Sequence, residues 1–430
     1  QWTLDGEEVS TELAYTFAPK QTGEYILKFT ATNVSGTDSR EFTVSVVLYK
    51  GGFFVINEGS FPRTMGSVDY FADASTRTPH VYQTANPGKE LGMTTEFGVK
   101  WNGNYYFVSK QGRTLVKVSA TDFVDGGEYS AAVAGSEADG RSFAGIDENY
   151  GVYTTSNGAY VVDLNTFKYL GAISGLTSPR YIQVISENKI YISDLYSPSM
   201  AVVDPRTYQI TGRVYMGTTK GPGKVNGTEQ MVRYGQYVYV CSWSYNDKVY
   251  KVDTETDKVV DSLSVTRQPN SMVLDKNGKL WVLSDGGYAG SPYGQDQATL
   301  IRIDAHQFAV EAIFRFPDVQ ASPSELCINA QGDRLYYING SWASGTVPNS
   351  GIYSMGVEDT ALPAQPLIAE DSRLFYALGV NPYTDELYVS DAIDYSQRGT
   401  VFRYTPQGEL IDEFKVDIIP GAFCFKSGKE

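Results

Sequence analysis

The sequence predicts an all-β protein: a β-propeller of eight blades preceded by a short antiparallel β module. One apolar string recurs, at Phe53 (FFVIN), Tyr106 (YFVSK), Val152 (VYTTS), Ile190 (IYISD), Val238 (VYVCS), Leu280 (LWVLS), Leu335 (LYYIN) and Leu387 (LYVSD). Neighbouring anchors stand 38 to 55 residues apart, room for about four strands each, as in propeller blades. Within units the apolar residues alternate at period two rather than 3.6, which excludes a helical solenoid. The last strand-like segment, GAFCF (421–425), has nothing after it to pair with, and the Phe53 unit has no inner strand of its own before it. Pairing the two closes the ring and removes both exposed edges. Eight anchors imply eight blades; seven is the alternative if residues 101–150 form an irregular insertion.

Residues 1–49 are written in a different style. GEYILKFTATN and REFTVSVV alternate as half-buried antiparallel strands do, with VSGTDS between them as a turn cluster. The W-x-x-D-G opening and the G-x-Y resemble the later strands of bacterial immunoglobulin-like or PKD-like modules. Too few strands are present for a complete sandwich of roughly 80–100 residues, so the segment is read as an incomplete module serving as a spacer. The propeller is assigned to residues 50–430. Its clearest unit runs RYIQVI (180–185, innermost), KIYISDL (189–195), MAVVD (200–204) and YQITGRV (208–214, outermost). The chain opens on Gln1 rather than Met, and the expectation is that a processed segment preceded it, as in an exported protein.

Composition narrows the function. Hydrophobic residues are 42% and charged residues 20% of 430, an ordinary globular balance with no membrane-spanning run. Tyrosine is the outlier, at 32, beside 20 Phe and 5 Trp; such residues suit strands and binding faces alike. A net charge of −15 argues against nucleic acid and anionic lipid. Cys241, Cys327 and Cys424 sit apart in apolar runs and read as buried free thiols. With only His80 and His306, a histidine triad or metal cluster is not expected.

Blade topology makes the two faces of the ring unequal. Turns joining first to second and third to fourth strands share one face, and they are short: SEN, KNG, QGD, DPRT, DTETD and PQGE. Their Asp residues are read as turn formers, Asp204 and Asp253 among them. Loops from second to third strand, and from blade to blade, share the other face and are long and aromatic. They place Trp243, Tyr245, Tyr288, Tyr293, Trp342 and Tyr395 around one mouth, with Arg180, Glu229, Gln230 and Asp394 as polar neighbours. Long loops loaded with aromatic residues are not needed for folding, so this face is the candidate ligand site. The competing structural reading is that the same rings pack between blades.

Several strings go further. FFVINEG, LTSPRYI, TEQMVRYGQYVYVCSWSY, DTETDKVVD, SDGGYAGSPYG, DAIDYSQRG and PQGELIDEF…IIPGAFCF resemble the YncE-like propellers of Bacteroidetes surface lipoproteins. They are similar to the BtuG-type proteins among these, which capture cobalamin outside the cell on a TonB-dependent transporter. The resemblance spans residues 51–426 and implies an exported protein anchored through a lipidated Cys upstream of Gln1. BtuG-type propellers have seven blades, so the stretch 101–150 and the N-terminal module are departures that put cobalamin binding in question.

The first functional reading is therefore surface capture of a large soluble nutrient, a corrinoid first and a glycan second, without catalysis or a cofactor. Tyr and Trp faces with amide and charged side chains suit either ligand. The enzyme reading would need a quinone or Ca²⁺ site. The adjacent-cysteine disulfide usual in quinoprotein propellers is absent, Asp285, Asp391 and Asp394 stand on separate blades, and DFVDGGE (122–128) is only a fragment of a calcium-like pattern. A protein-interaction scaffold is the third reading.

Overall fold

In the computed structural model each recurring apolar string becomes the second strand of a four-stranded antiparallel sheet. The described residues are all except Lys20, Lys50, 73–75, 130–137, 218–227, 244–245, 341–346 and 427–430. Eight such sheets follow residue 50, called here the first to the eighth in chain order of their second strands. Residues 93–129 form one of them, with strands Met93–Trp101, Asn104–Gln111, Leu115–Ser119 and Asp125–Tyr129, rather than an irregular insertion. The fourth sheet, Pro179–Ser186, Lys189–Asp194, Ser199–Asp204 and Gln209–Tyr215, follows the expected strand order to within a residue or two.

The first sheet takes its innermost strand from the chain end. Pro420–Phe425 pairs antiparallel with Phe53–Asn57, setting Phe423 opposite Val55 and Phe425 opposite Phe53. Inner strands of successive sheets touch in order around the molecule, and Pro420–Phe425 touches those of both the eighth and the second sheets. The circuit therefore closes.

The second strands are continuously apolar because both their faces are covered. Phe54 and Ile56 pack toward the second sheet, while Phe53 and Val55 pack toward the eighth. Tyr105 and Phe107 likewise face the first sheet, and Tyr106 and Val108 the third. The core is thus a series of side-chain clusters, each clamped between two neighbouring sheets. Much of the tyrosine excess is used here: Tyr106, Tyr153, Tyr191, Tyr239, Tyr336, Tyr337 and Tyr388 are all fully buried.

Two of these rings send their polar tip to the short-turn face of the next sheet. Tyr191 Oη donates to Asp257 Oδ1 (2.5 Å), and Tyr239 Oη donates to the Ala305 carbonyl. Lys117, Lys251 and Arg302 make the same kind of crossing, to the carbonyls of Leu164, His306 and Val357. Paired tips let Tyr191 and Tyr239 be buried without an orphaned hydroxyl. Asp residues of that face cap their own turns. Asp204 Oδ1 accepts from Arg206 N, and Asp253 Oδ1 accepts from Glu255 N and Thr256 N. An Asp253→Ala variant is expected to lower the melting midpoint by roughly a degree or two and to leave ligand affinity unchanged; calorimetric melting and a binding titration check both.

The N-terminal segment forms one sheet in the order Glu7–Ser10, Trp2–Leu4, Gly23–Asn33, Gly36–Val46. Its first hairpin turns on Asp5-Gly6, both at positive φ (50° and 91°), the geometry an Asp-Gly pair favours. The VSGTDS cluster is shorter as a turn than its composition suggests, because the strand resumes at Gly36 and pairs it with Asn33.

Three further features bear on the sequence reading. A short helix, Val81–Ala85, follows the outer strand of the first sheet and carried no sequence signal. Cys241 is buried, but Cys327 and Cys424 lie on inner strands and are only partly covered; all three are free. In DFVDGGE, Asp125 is held by Tyr82 Oη (2.7 Å), Arg113 (2.7 Å) and Lys89 (3.1 Å) rather than set out for a cation. No group of three or more His, Cys, Asp or Glu suited to a metal occurs among the described residues, and no helix there is long and apolar enough to cross a membrane.

Candidate functional site

Every inner strand of the ring breaks its register with the second strand near its start. The extra residues are Glu96, Arg141, Arg180 with Tyr181, Glu229 with Gln230, Asn270, Glu325 with Leu326, Tyr376 with Ala377, and Gly421. A β-bulge bends the strand and re-aims its side chains. Here the bulges recur at the long-loop end, where the inner strands line the mouth.

Buried hydroxyls hold several of these bulges. Ser193 Oγ accepts from Tyr181 N and Ser390 Oγ from Ala377 N, both at 2.9 Å, while Thr154 Oγ1 donates to the Arg180 carbonyl at 2.6 Å. This accounts for the Ser or Thr that ends otherwise apolar strings such as IYIS and LYVS. The hydroxyl satisfies a backbone group that the interrupted ladder leaves unpaired.

A cavity of about 430 Å³ opens across four consecutive sheets, the fourth to the seventh. Arg180, Tyr181, Gln230, Trp243, Asn270, Asp285 and Glu325 line it. The Arg180 guanidinium lies over the Tyr181 ring, 5.4 Å from its centre. Gln230 Oε1 accepts from Met272 N (3.1 Å). Asn270 Nδ2 donates to the Pro323 carbonyl (3.0 Å), and Ser271 Oγ donates to Asn270 Oδ1 (2.6 Å). Burial pushes the Asp285 carboxyl above the usual range, although Gly287 N, Asn270 and the Trp243 indole all hydrogen-bond to it. Burial alone pushes Glu325 up to about 7. The residue is nonetheless exposed, because it stands at the open side of the cavity. That accessible surface is what a solute meets.

A second cluster occupies the opposite sector, where the eighth, first and second sheets meet. Glu58 accepts from Tyr376 Oη at 2.7 Å, and its carboxyl is raised by burial. Gly421 leaves the space: a Cβ there would stand 2.6 Å from Glu58 Oε1. Tyr395 meets Tyr376 edge-on at 5.7 Å, and Glu96 pairs with Lys110 at 2.8 Å.

Of the residues singled out from sequence, Arg180, Gln230 and Trp243 come together in the cavity. Tyr395 belongs to the opposite cluster. Tyr288 is half exposed and Tyr293 partly covered, both in the loop 285–297 outside the cavity lining. Asp394 caps its own turn, accepting from Ser396 N (2.9 Å) and Gln397 N (2.8 Å). Tyr245 and Trp342 lie outside the described residues, as does the side chain of Glu229. Trp243 and Tyr395 thus stand in different sectors, so they do not share the one aromatic surface expected. Asn270 and Glu325 were missed, although they occupy the same inner-strand bulges as Arg180 and Gln230.

A cavity of similar size, about 440 Å³, lies between the outer parts of the sixth and seventh sheets, among Phe314, Pro317, Tyr353 and Pro363. It reaches none of the bulges, and its lining offers fewer converging polar groups. The mouth is the better candidate.

Residues 51–221 and 176–423 each match a family described as a domain of unknown function (DUF5074). The chain belongs to the DUF5074 family. No curated protein matches its sequence. Among solved structures this DUF5074 chain is similar to a quinonprotein alcohol dehydrogenase-like protein from Bacteroides thetaiotaomicron. Identity there is 16%, over 99% of this chain and 90% of that one, with a TM-score of 0.54. It is also similar to dihydro-heme d1 dehydrogenase NirN in complex with DHE, at 9% identity, 93% and 79% coverage and a TM-score of 0.64. BamB from Moraxella catarrhalis follows, at 13%, 75% and 88%, and 0.51. At such identities the likeness shows the β-propeller fold and nothing of the chemistry.

Proposed function

We propose that this DUF5074 chain is an eight-bladed propeller that captures a large soluble ligand at its long-loop mouth, with a corrinoid as the leading candidate. The observation that carries the reading is the cavity where Arg180, Gln230, Trp243, Asn270, Asp285 and Glu325 converge. Its volume falls in the ordinary range of small-molecule sites, and a few placed polar groups beside aromatic faces are what such sites use for orientation. A whole corrin ring exceeds it, so one amide-bearing edge would enter while the rest lies across the mouth. In this reading the protein is an exported lipoprotein of the outer membrane, handing its ligand to a TonB-dependent transporter, with the N-terminal sheet as spacer. Capture proceeds without turnover; useful rates on lactones, alcohols or glycosides would overturn that part.

A glycan is the second reading, favoured by the Tyr376–Tyr395 corner beside Glu58, since sugars stack on aromatic faces and hydrogen-bond to carboxylates. Calorimetry with cyanocobalamin, cobinamide and an oligosaccharide panel separates the two. Corrinoid binding is expected, weakened by about 2 kcal/mol or more in Trp243→Ala, as for a buried anchor. Binding of oligosaccharides alone, lost in Tyr395→Ala, would replace the corrinoid by the glycan. No binding of either class would leave the mouth as a protein-docking surface.

A further inference from the structure

Glu325 differs from the other carboxylate and from the two amide side chains of the cavity. Asp285 is tied down by Gly287, Asn270 and Trp243, and Asn270 and Gln230 are tied to backbone or side-chain groups. Among the described residues Glu325 makes neither a hydrogen bond nor an ion pair, and no cation stands close enough to pull its carboxyl back down. It is also held at φ 55°, a left-handed conformation uncommon for a residue with a side chain, at the bulge between Ser324 and Cys327. A left-handed residue that presents an unpartnered carboxylate to an open cavity is available to something that is not part of the chain.

What would satisfy it is constrained by the rest of the lining. Arg180, from the fourth sheet, offers only donors, whereas Glu325, from the seventh, offers acceptors when ionised. A group with an acceptor on one side and N–H donors on the other answers both, and a planar carboxamide is the simplest. Trp243 and Tyr181 provide flat faces for such a plane.

We propose that Glu325 is the ligand-selecting residue of the mouth: it accepts from the N–H edge of a carboxamide-bearing ligand whose carbonyl edge is turned toward Arg180. This deepens the capture reading and rests on the mouth being the ligand site. It also links binding to a proton. Burial holds the free Glu325 carboxyl at about 7, and an amide N–H favours the ionised form, so affinity rises with pH as Glu325 deprotonates. The groups around it do not mask this. Arg180 stays charged throughout, the Cys327 thiol is pushed up by burial and stays neutral, and Asp285 keeps its three donors.

The test uses the full chain and nicotinamide, a small carboxamide, with nicotinate as its carboxylate counterpart, titrated by ligand-observed NMR. Nicotinamide is expected to bind in preference to nicotinate and to tighten by up to about tenfold between pH 6 and 8, the change in the ionised fraction of a group titrating near 7. Glu325→Ala should abolish the preference. Glu325→Gln, a closer isostere, should flatten the pH dependence while melting like the parent chain. Nicotinamide binding that is absent, or equal in all three proteins and independent of pH, would overturn the proposal. If Glu325→Ala fails to fold, a pH slope that persists in Glu325→Gln overturns it. Failure of cyanocobalamin to bind, with nicotinamide behaving as stated, would sink the corrinoid reading alone.

Discussion

Removal of residues 420–430 is expected to convert a soluble, cooperatively melting protein into an aggregating one. The deletion takes away Pro420–Phe425, the whole innermost strand of the first sheet, and with it the packing of Phe423 and Phe425 against Tyr388. It also exposes Phe53–Asn57, all five residues of which are buried, as an unpaired apolar edge. Such an edge is a template for pairing with another chain. Light scattering and differential scanning calorimetry of the truncated protein decide the matter. A truncated chain that stays monomeric and melts in one sharp transition would show that the eighth and first sheets hold together without the closing strand.

Trp281→Ala should be the most damaging single substitution in the ring's interior, costing about 3–5 kcal/mol, the range for removing a large buried aromatic side chain. Trp281 is fully buried between the sixth and seventh sheets, stacked on Phe314 at 5.8 Å and 16° and overlain by the Arg302 guanidinium at 5.6 Å. Its indole N–H donates to Asp275 Oδ2 (2.9 Å), so truncation also deprives a carboxylate in a buried turn of a partner. Trp281→Phe keeps most of the apolar contact and loses only the donor, and should cost a fraction of that. Urea unfolding followed by circular dichroism measures both. Equal losses in the two variants would mean that the hydrogen bond, not the filled volume, dominates at this position.

The second strands were legible because burial on both faces forces a continuous apolar run, as in FFVIN and LYVSD. The closing strand was legible because GAFCF had no other partner. The inner strands were harder to read. MTTEFGVKW is only partly buried along most of its length, so its alternation is weak, and 101–150 therefore also read as an irregular insertion. The outer strands of the first and seventh sheets, Arg77–Thr78 and Ile368–Ala369, are two residues long and leave no pattern at all.

The site divides in the same way. Arg180, Gln230 and Trp243 could be placed because loop topology alone carries them to the mouth. Glu325 could not, because no aromatic or loop signal stands beside SELCI and because a left-handed residue that is not glycine leaves no mark in the sequence. Tyr395 was placed at the mouth, but topology says nothing about which sector of the mouth a loop will reach.

The bulges carry a consequence for how such a protein can change. A bulged residue stands outside the hydrogen-bonded ladder and, Leu326 apart, belongs to none of the buried clusters between sheets. Most positions at the mouth can therefore be exchanged while the scaffold is left alone, Gly421 excepted, where a side chain would meet Glu58. Glu96, Arg141, Asn270, Glu325 and Gly421 already differ in size and charge at matching places on neighbouring strands. That makes the mouth a small alphabet of largely interchangeable letters, whose chemistry can be rewritten without the chain having to learn to fold again.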